Sequence, residues 1–147
     1  MKRSILGLLL IVGMSANLVA GERFVRENAK EVVVDTATNL MWQDNADAKT
    51  IKKSWNDAID YCENLTLGGY SDWHLPNYNE LWKLADRSRY NPALHQVFQN
   101  IVSGSYWSST TVSGGTIFVD IIDFNNGNSY GTLKSNSDYV RCVRDND

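Results

Sequence analysis

Two cysteines, Cys62 and Cys142, bracket most of the second half of a 147-residue chain. Whether they are joined decides how freely the segment between them can fold. The compartment settles that question, and the N-terminus names the compartment. Lys2 and Arg3 precede an apolar run from Ile5 to Met14, and small residues follow at Ser15, Ala16, Ala20 and Gly21, the order of a secretory signal peptide. The run is about half of what a bilayer span requires. Cleavage is expected after Ala20 or Gly21, giving a leader over 1–20 and a single domain over 21–147; an uncleaved anchor or a buried helix is the alternative. With no cysteine near that point, no lipid anchor on the mature N-terminus is expected, and the protein is placed in the periplasm or outside the cell. In that oxidising setting two cysteines with no third thiol to compete read as one disulfide, with free thiols the alternative. Closing a loop of about 80 residues would stabilise the fold by roughly 4 kcal/mol on the chain-entropy account.

Loss of Lys2 and Arg3 with the leader moves the formal charge from -3 to -5. An acidic domain is a poor generic binder of nucleic acid. With 43% hydrophobic and 11% aromatic residues and two prolines, the chain can bury a real core. No transmembrane segment is expected in the mature chain.

The hydrophobic pattern changes period along the chain. Phe24 to Val34 reads as an opening strand region, and the polar turn 35–39 leads into a second short strand, Leu40 to Gln43, as a hairpin. Ser54 suits an N-cap, and Trp55, Ala58, Ile59, Cys62 and Leu65 then recur at helical spacing, with Gly68-Gly69 as the stop. A second helix opens with Asn77 as cap and Glu80 three residues on, a capping box, and carries Leu81, Leu84 and Ala85 inward. The stretch 87–105 reads as irregular apart from a turn near Val97 and Phe98. Strands are then expected over 106–110, 116–124, 128–133 and 139–144, joined by hairpin-type connections at 113–115, 125–127 and 135–138. Helices first and strands afterwards predict an α+β domain whose second half is an antiparallel meander, with helices on one side of the sheet.

Four motifs punctuate this pattern: Asn39-Leu-Met-Trp42, Asp72-Trp-His-Leu-Pro76, Tyr106-Trp-Ser-Ser-Thr110 and Tyr139-Val-Arg-Cys-Val-Arg144. Together and in this order they resemble a bacterial extracytoplasmic domain-of-unknown-function family, typified by the C-terminal part of a Legionella collagen-like adhesin. The resemblance runs from about Asp35 to Arg144. It implies a C-type lectin-like fold, two helices packed on an antiparallel sheet with the N- and C-terminal strands adjacent, and recognition at a surface rather than turnover. Asn39 stands where Gly is usual, Asn77 where Thr is usual as cap, and His74 where the family has Arg. The last is the largest change, because imidazole cannot reproduce the five donors and permanent charge of guanidinium.

For a binding surface the late strands are the best candidates. Asn128, Tyr130, Thr132 and Lys134 alternate onto one face with Leu133 on the other, and Asn125 and Asn126 form the adjoining turn. An aromatic ring flanked by amides, a hydroxyl and an amine suits sugar hydroxyls; an ordinary solvated sheet face is the plainer reading. Trp42, Trp55, Trp73 and Trp107 sit inside the fold motifs and are expected in the core with their indole N–H groups on backbone carbonyls, whereas Trp82 is expected only partly buried. Arg141 with Arg144, or Arg87 with Arg89, could meet an anionic ligand, but salt bridges to Asp35 or Glu80 are the simpler expectation.

No cofactor is expected. Calcium is left open, because oxygen ligands occur at Asp44, Asn45, Asp47, Asp120, Asp123 and Asp138 without forming a tight ligand loop. Formylglycine-generating oxidases share the broad fold, but their reactive cysteine pair would here be spent on a bridge. His74 and His95 lack metal-ligand spacing, and no nucleophile elbow, phosphate loop or metalloprotease helix is present. A glycan or an envelope protein is therefore the expected partner, the competing class being a structural component of the envelope without sugar affinity. Oligomeric state is left open.

Overall fold

A computed structural model describes residues 21–114 and 117–147. The leader expected over 1–20 lies outside them. Among the described residues no helix is long and apolar enough to cross a membrane.

Two sheets organise the chain. The first contains β1 (Phe24–Glu27), β2 (Val32–Asp35), β3 (Leu40–Gln43) and β9 (Val143–Asp145), all antiparallel, in the order β1-β2-β3-β9. The C-terminal strand thus joins the N-terminal strands in one sheet, as the resemblance implies, with β9 beside β3 and β1 at the opposite edge. Asp35 pairs with Leu40 to close the β2–β3 hairpin, and Asn39 turns it at a φ of 55°, a conformation asparagine tolerates better than most residues. One expectation fails here. The opening segment is two strands, because a 3₁₀ turn at Asn28–Lys30 reverses the chain with Glu31 at a φ of 55°. Asn28 is the only turn-type residue in the segment, a weak local sign of the reversal at Glu31.

The first α-helix among the described residues, α1 (Asp47–Thr50), and the short β4 (Lys52–Lys53) had no clear sequence signal. α2 spans Trp55–Glu63. Ser54 occupies the N-cap position with extended backbone, but its side chain makes no capping bond. The helix ends before the paired glycines: Gly68 and Gly69, both at positive φ, instead make a tight turn between Leu67 and Tyr70. α3 (Tyr78–Leu84) has the expected capping box, with Asn77 Oδ1 accepting the Glu80 N–H at 2.8 Å and Glu80 Oε1 accepting the Asn77 N–H at 2.9 Å.

The second sheet holds β5 (Ser105–Thr111), β6 (Phe118–Asp123), β7 (Asn128–Leu133) and β8 (Asp138–Tyr139), ordered β4-β8-β5-β6-β7. β5, β6 and β7 form the expected antiparallel meander. The last strand does not continue it. Segment 139–144 divides: Tyr139 pairs in parallel with Tyr106 in the second sheet, whereas Val143 and Arg144 pair with β3 in the first. Between them Val140, Arg141 and Cys142 cross the interior, each no more than 1% exposed. The second sheet is therefore mixed.

Period-two alternation distributes the apolar side chains to two cores. Val33, Trp42, Val143, Tyr106 and Ile122 meet α3 residues Leu81 and Leu84 in one; Val32, Met41, Trp107, Val119 and Ile121 meet Ala58 and Cys62 of α2 in the other. Cys62 and Cys142 are bonded in the second core with Cα atoms 5.5 Å apart, inside the usual range for a disulfide. The bridge ties α2 to the segment that enters β9, close to the first-helix-to-last-strand link read from the sequence.

Candidate functional site

Among the described residues β7 is the outermost strand of the second sheet, so no described strand covers one of its edges. Its register sets Asn128 opposite Asp123, Tyr130 opposite Ile121 and Thr132 opposite Val119, which places these three side chains on one face. Leu133 pairs with Phe118 on the other face, as alternation requires. Tyr130 is 48% exposed and Asn128 is exposed beside it. The other candidates are more committed. Thr132 Oγ1 accepts from Asn136 Nδ2 at 2.6 Å, and the Lys134 ammonium lies 4.3 Å from the centre of the Trp55 indole. In the adjoining turn Asn126 Oδ1 accepts the Asn128 N–H at 2.9 Å, the Asn125 N–H reaches Asp123 Oδ1 at 2.8 Å, and Gly127 takes a φ of 83°. The six residues run along the strand, about 20 Å at the usual rise per residue, rather than around a common hollow. A shallow concavity of about 250 Å³ beside the strand is lined by Ile117, Leu133, Lys134 and Ser135, of which only Lys134 belongs to the set.

The tryptophans are mostly structural. Trp42, Trp73 and Trp107 are at most 2% exposed. Indole N–H groups donate to backbone carbonyls from Trp55 to Ser108, from Trp73 to Tyr70 and from Trp107 to Lys53. Trp42 departs from the expectation, because its buried Nε1 has no partner among the described residues. Trp82 is half-buried, stacked on Tyr78 at 5.7 Å, and the Arg87 guanidinium lies over its ring at 3.3 Å.

The arginines are internally engaged, with partners other than the expected ones. Arg141 faces Asp44, and Arg144 meets Asp72 at 2.6 Å. Arg87 donates to the carbonyls of Trp82 and Gly127, and Arg89 pairs with Asp86. Asp35 belongs instead to Arg23, at 2.7 Å. Burial is the strongest single influence and works to raise the Asp35 carboxyl, but the hydrogen bonds and charge around it, those of Arg23 foremost, together outweigh it and hold Asp35 below the usual carboxylate range. Glu80 is taken by His74, whose Nε2 lies 3.3 Å from Oε1. That hydrogen bond raises the imidazole against the opposing effect of burial.

The oxygen ligands considered for calcium do not gather. Asp44 is consumed by arginines and backbone N–H groups, and Asp47 Oδ2 accepts the Tyr61 hydroxyl at 2.7 Å. Burial, then the bond to Asp47, pushes that phenol well above its ordinary range. Among the described residues no group of three or more His, Cys, Asp or Glu side chains could hold a metal ion.

A hollow that the sequence reading passed over lies in the irregular stretch after α3. The loop carrying Tyr90 is pinned to the β6–β7 turn: the Asn91 N–H reaches the Asn125 carbonyl and the Ala93 N–H the Phe124 carbonyl, both at 2.7 Å. Beside it a cleft of about 360 Å³ is lined by Ser88, Tyr90, Leu94, His95, Gln96 and Phe98, among others. His95 and Gln96 also border a second cleft of about 520 Å³, with Arg23, Phe24 and Val97. Tyr90 beside Asn91-Pro92 was the only local signal, an aromatic ring in a polar turn.

The site thus lies on a bridged α+β domain that buries Arg141 and Arg144 beside its disulfide-linked segment. Residues 31–144 match the Lcl C-terminal domain family, and the chain belongs to it. That membership points to a non-catalytic, adhesin-like domain; the family is not a known enzyme family. Among curated proteins none matches the chain.

Proposed function

We propose that the chain is an exported, single-domain recognition module over 21–147 that binds a glycan or another envelope ligand through β7 and the Asn125–Gly127 turn. The observation that carries this reading is Tyr130, a half-exposed ring on the outermost strand with the exposed Asn128 at its side and the Asn125-Asn126 turn beyond. An aromatic face packs against sugar C–H groups while amides meet the hydroxyls. A disulfide and an adhesin-type family support a periplasmic or secreted location. Binding needs no cofactor on this reading, and chelation with EDTA leaves it unchanged.

The test is a glycan array together with a pull-down against envelope proteins, each repeated with Tyr130→Ala. The substitution removes an exposed side chain, so fold and melting temperature hold while binding falls. The β7 reading fails if Tyr130→Ala weakens none of the hits. A protein partner is the second reading, favoured by the uncovered β7 edge and the exposed Phe118–Leu133 pair, 42% and 39% exposed. Free saccharide competes away a glycan partner and leaves a protein partner bound.

A further inference from the structure

The cleft beside Tyr90 lies apart from the β7 residues and opens onto the edge of the first core, and its chemistry is specific. Tyr90 is 82% exposed, the most exposed large apolar side chain among the described residues. It stands on a loop that does not have to order itself on binding, because four backbone hydrogen bonds at Asp86, Arg89, Asn91 and Ala93 already hold it. Leu94 and Phe98, at 2% and 5% exposed, lie at the inner end of the lining, with Ser88, His95 and Gln96 supplying polar groups. His95 has a defined orientation: its Nδ1 accepts the Val97 N–H at 3.1 Å, which leaves Nε2–H as the remaining ring donor. An apolar base, one open aromatic face and a few neutral donors and acceptors make the pattern of a small-molecule site, and about 360 Å³ falls in the usual size range.

Charge narrows the ligand. The cation at the rim, Arg89, is paired with Asp86 at 3.2 Å, and Arg23 in the neighbouring cleft is paired with Asp35. Each is balanced by its carboxylate, so the two arginines bring no net positive charge to the clefts for a sulfate, phosphate or carboxylate. The hollow does not stop at one sugar ring, since the second cleft lies across the His95–Gln96 wall. We infer that the Tyr90 cleft binds a neutral saccharide chain, with one pyranose ring stacked on Tyr90, its hydroxyls met by Ser88, His95 and Gln96, and the chain continuing over His95 and Gln96 toward Phe24.

The proposal stands apart from the β7 reading, and either can fail alone. The test is titration of ¹⁵N-labelled protein, residues 21–147, with neutral hexasaccharides of the cello, chito, malto, laminari and manno series and with a heparin-derived hexasaccharide. At least one neutral chain shifts the amide resonances of Tyr90, His95 and Gln96. Tyr90→Ala and Gln96→Ala each weaken that binding about tenfold or more, as expected of central contacts, and Tyr130→Ala leaves it unchanged. Both substituted side chains are exposed, so an unchanged amide spectrum elsewhere shows that the fold survives. The proposal is overturned if no neutral chain moves those resonances, if only the heparin fragment does, or if Tyr90→Ala binds as the parent does.

Discussion

The Asp44 carboxylate and the Arg141 guanidinium face each other at 3.3 Å with almost no contact with water, the two residues being 0% and 1% exposed. Neither is satisfied by the other alone. Asp44 also accepts Arg26 Nε at 2.7 Å and the backbone N–H groups of Gln99 and Asn100 at 3.0 Å each. Arg141 donates to the carbonyls of Gln43 and Asn100. One ion pair thus joins the end of β3, the loop before β5 and the crossing segment between the sheets.

Removing the acid leaves a buried cation without its counter-charge, which typically costs about 3–5 kcal/mol. Asp44→Ala is therefore expected to lower the urea midpoint sharply. Arg26→Ala leaves the Arg141 contact in place and costs less. An Asp44→Ala protein within about 1 kcal/mol of the parent would show that this cluster is not what holds the crossing segment.

The Cys62–Cys142 bridge closes a loop of 80 residues inside the second core. Cys62→Ser with Cys142→Ser is expected to lose about 2–5 kcal/mol, typical for removal of a native disulfide from a small exported domain. Alkylation under native oxidising conditions followed by intact-mass measurement should label no thiol, and should label two after reduction. Two labels before reduction would contradict the bridge.

The His74–Glu80 pair gives a pH dependence of definite sign. His74 is raised above its ordinary value of about 6.5, so its contribution is complete below that value and fades as pH rises through the folded one. Glu80 feels burial pushing it up and His74 pulling it down; the net depression makes its contribution complete above about 4.5 and lost as pH falls through the folded value. The pair is thus strongest in the mildly acidic range. With the His74 side chain 45% exposed, the effect is held to about 1 kcal/mol or less. His74→Arg, the residue usual in the family, should keep the pair charged and flatten the alkaline limb of a melting-temperature profile from pH 5 to 9. An unchanged limb would sink this account.

Asn77 caps α3 through the Glu80 N–H. Asn77→Ala should cost about 1 kcal/mol, whereas Asn77→Thr, another capping residue and the usual one in the family, should cost much less. Chemical denaturation of the two variants separates capping from a general intolerance of change at this exposed position. Equal losses would refute the capping role.

Much of the fold was readable because its causes are local. The Asn77–Glu80 box, the stripe Leu81, Leu84 and Ala85, the left-handed turn at Asn39 and the β6–β7 hairpin depend on residues within a few positions of one another. The disulfide was readable for a different reason: two cysteines have only each other. The ends of Tyr139 to Arg144 were another matter. Its alternation is that of one strand, yet Tyr139 serves one sheet and Val143 the other, because Arg141 is drawn to carbonyls 98 and 41 residues away. The same limit governs surfaces. Alternation determined that Asn128 and Tyr130 share a face, but only the folded chain decided that Lys134 is spent on Trp55, that β7 is an outer strand, and that Tyr90 stands over a hollow. Spacing along a chain records neighbours in sequence, whereas a concavity is made by segments that meet only once both cores have closed.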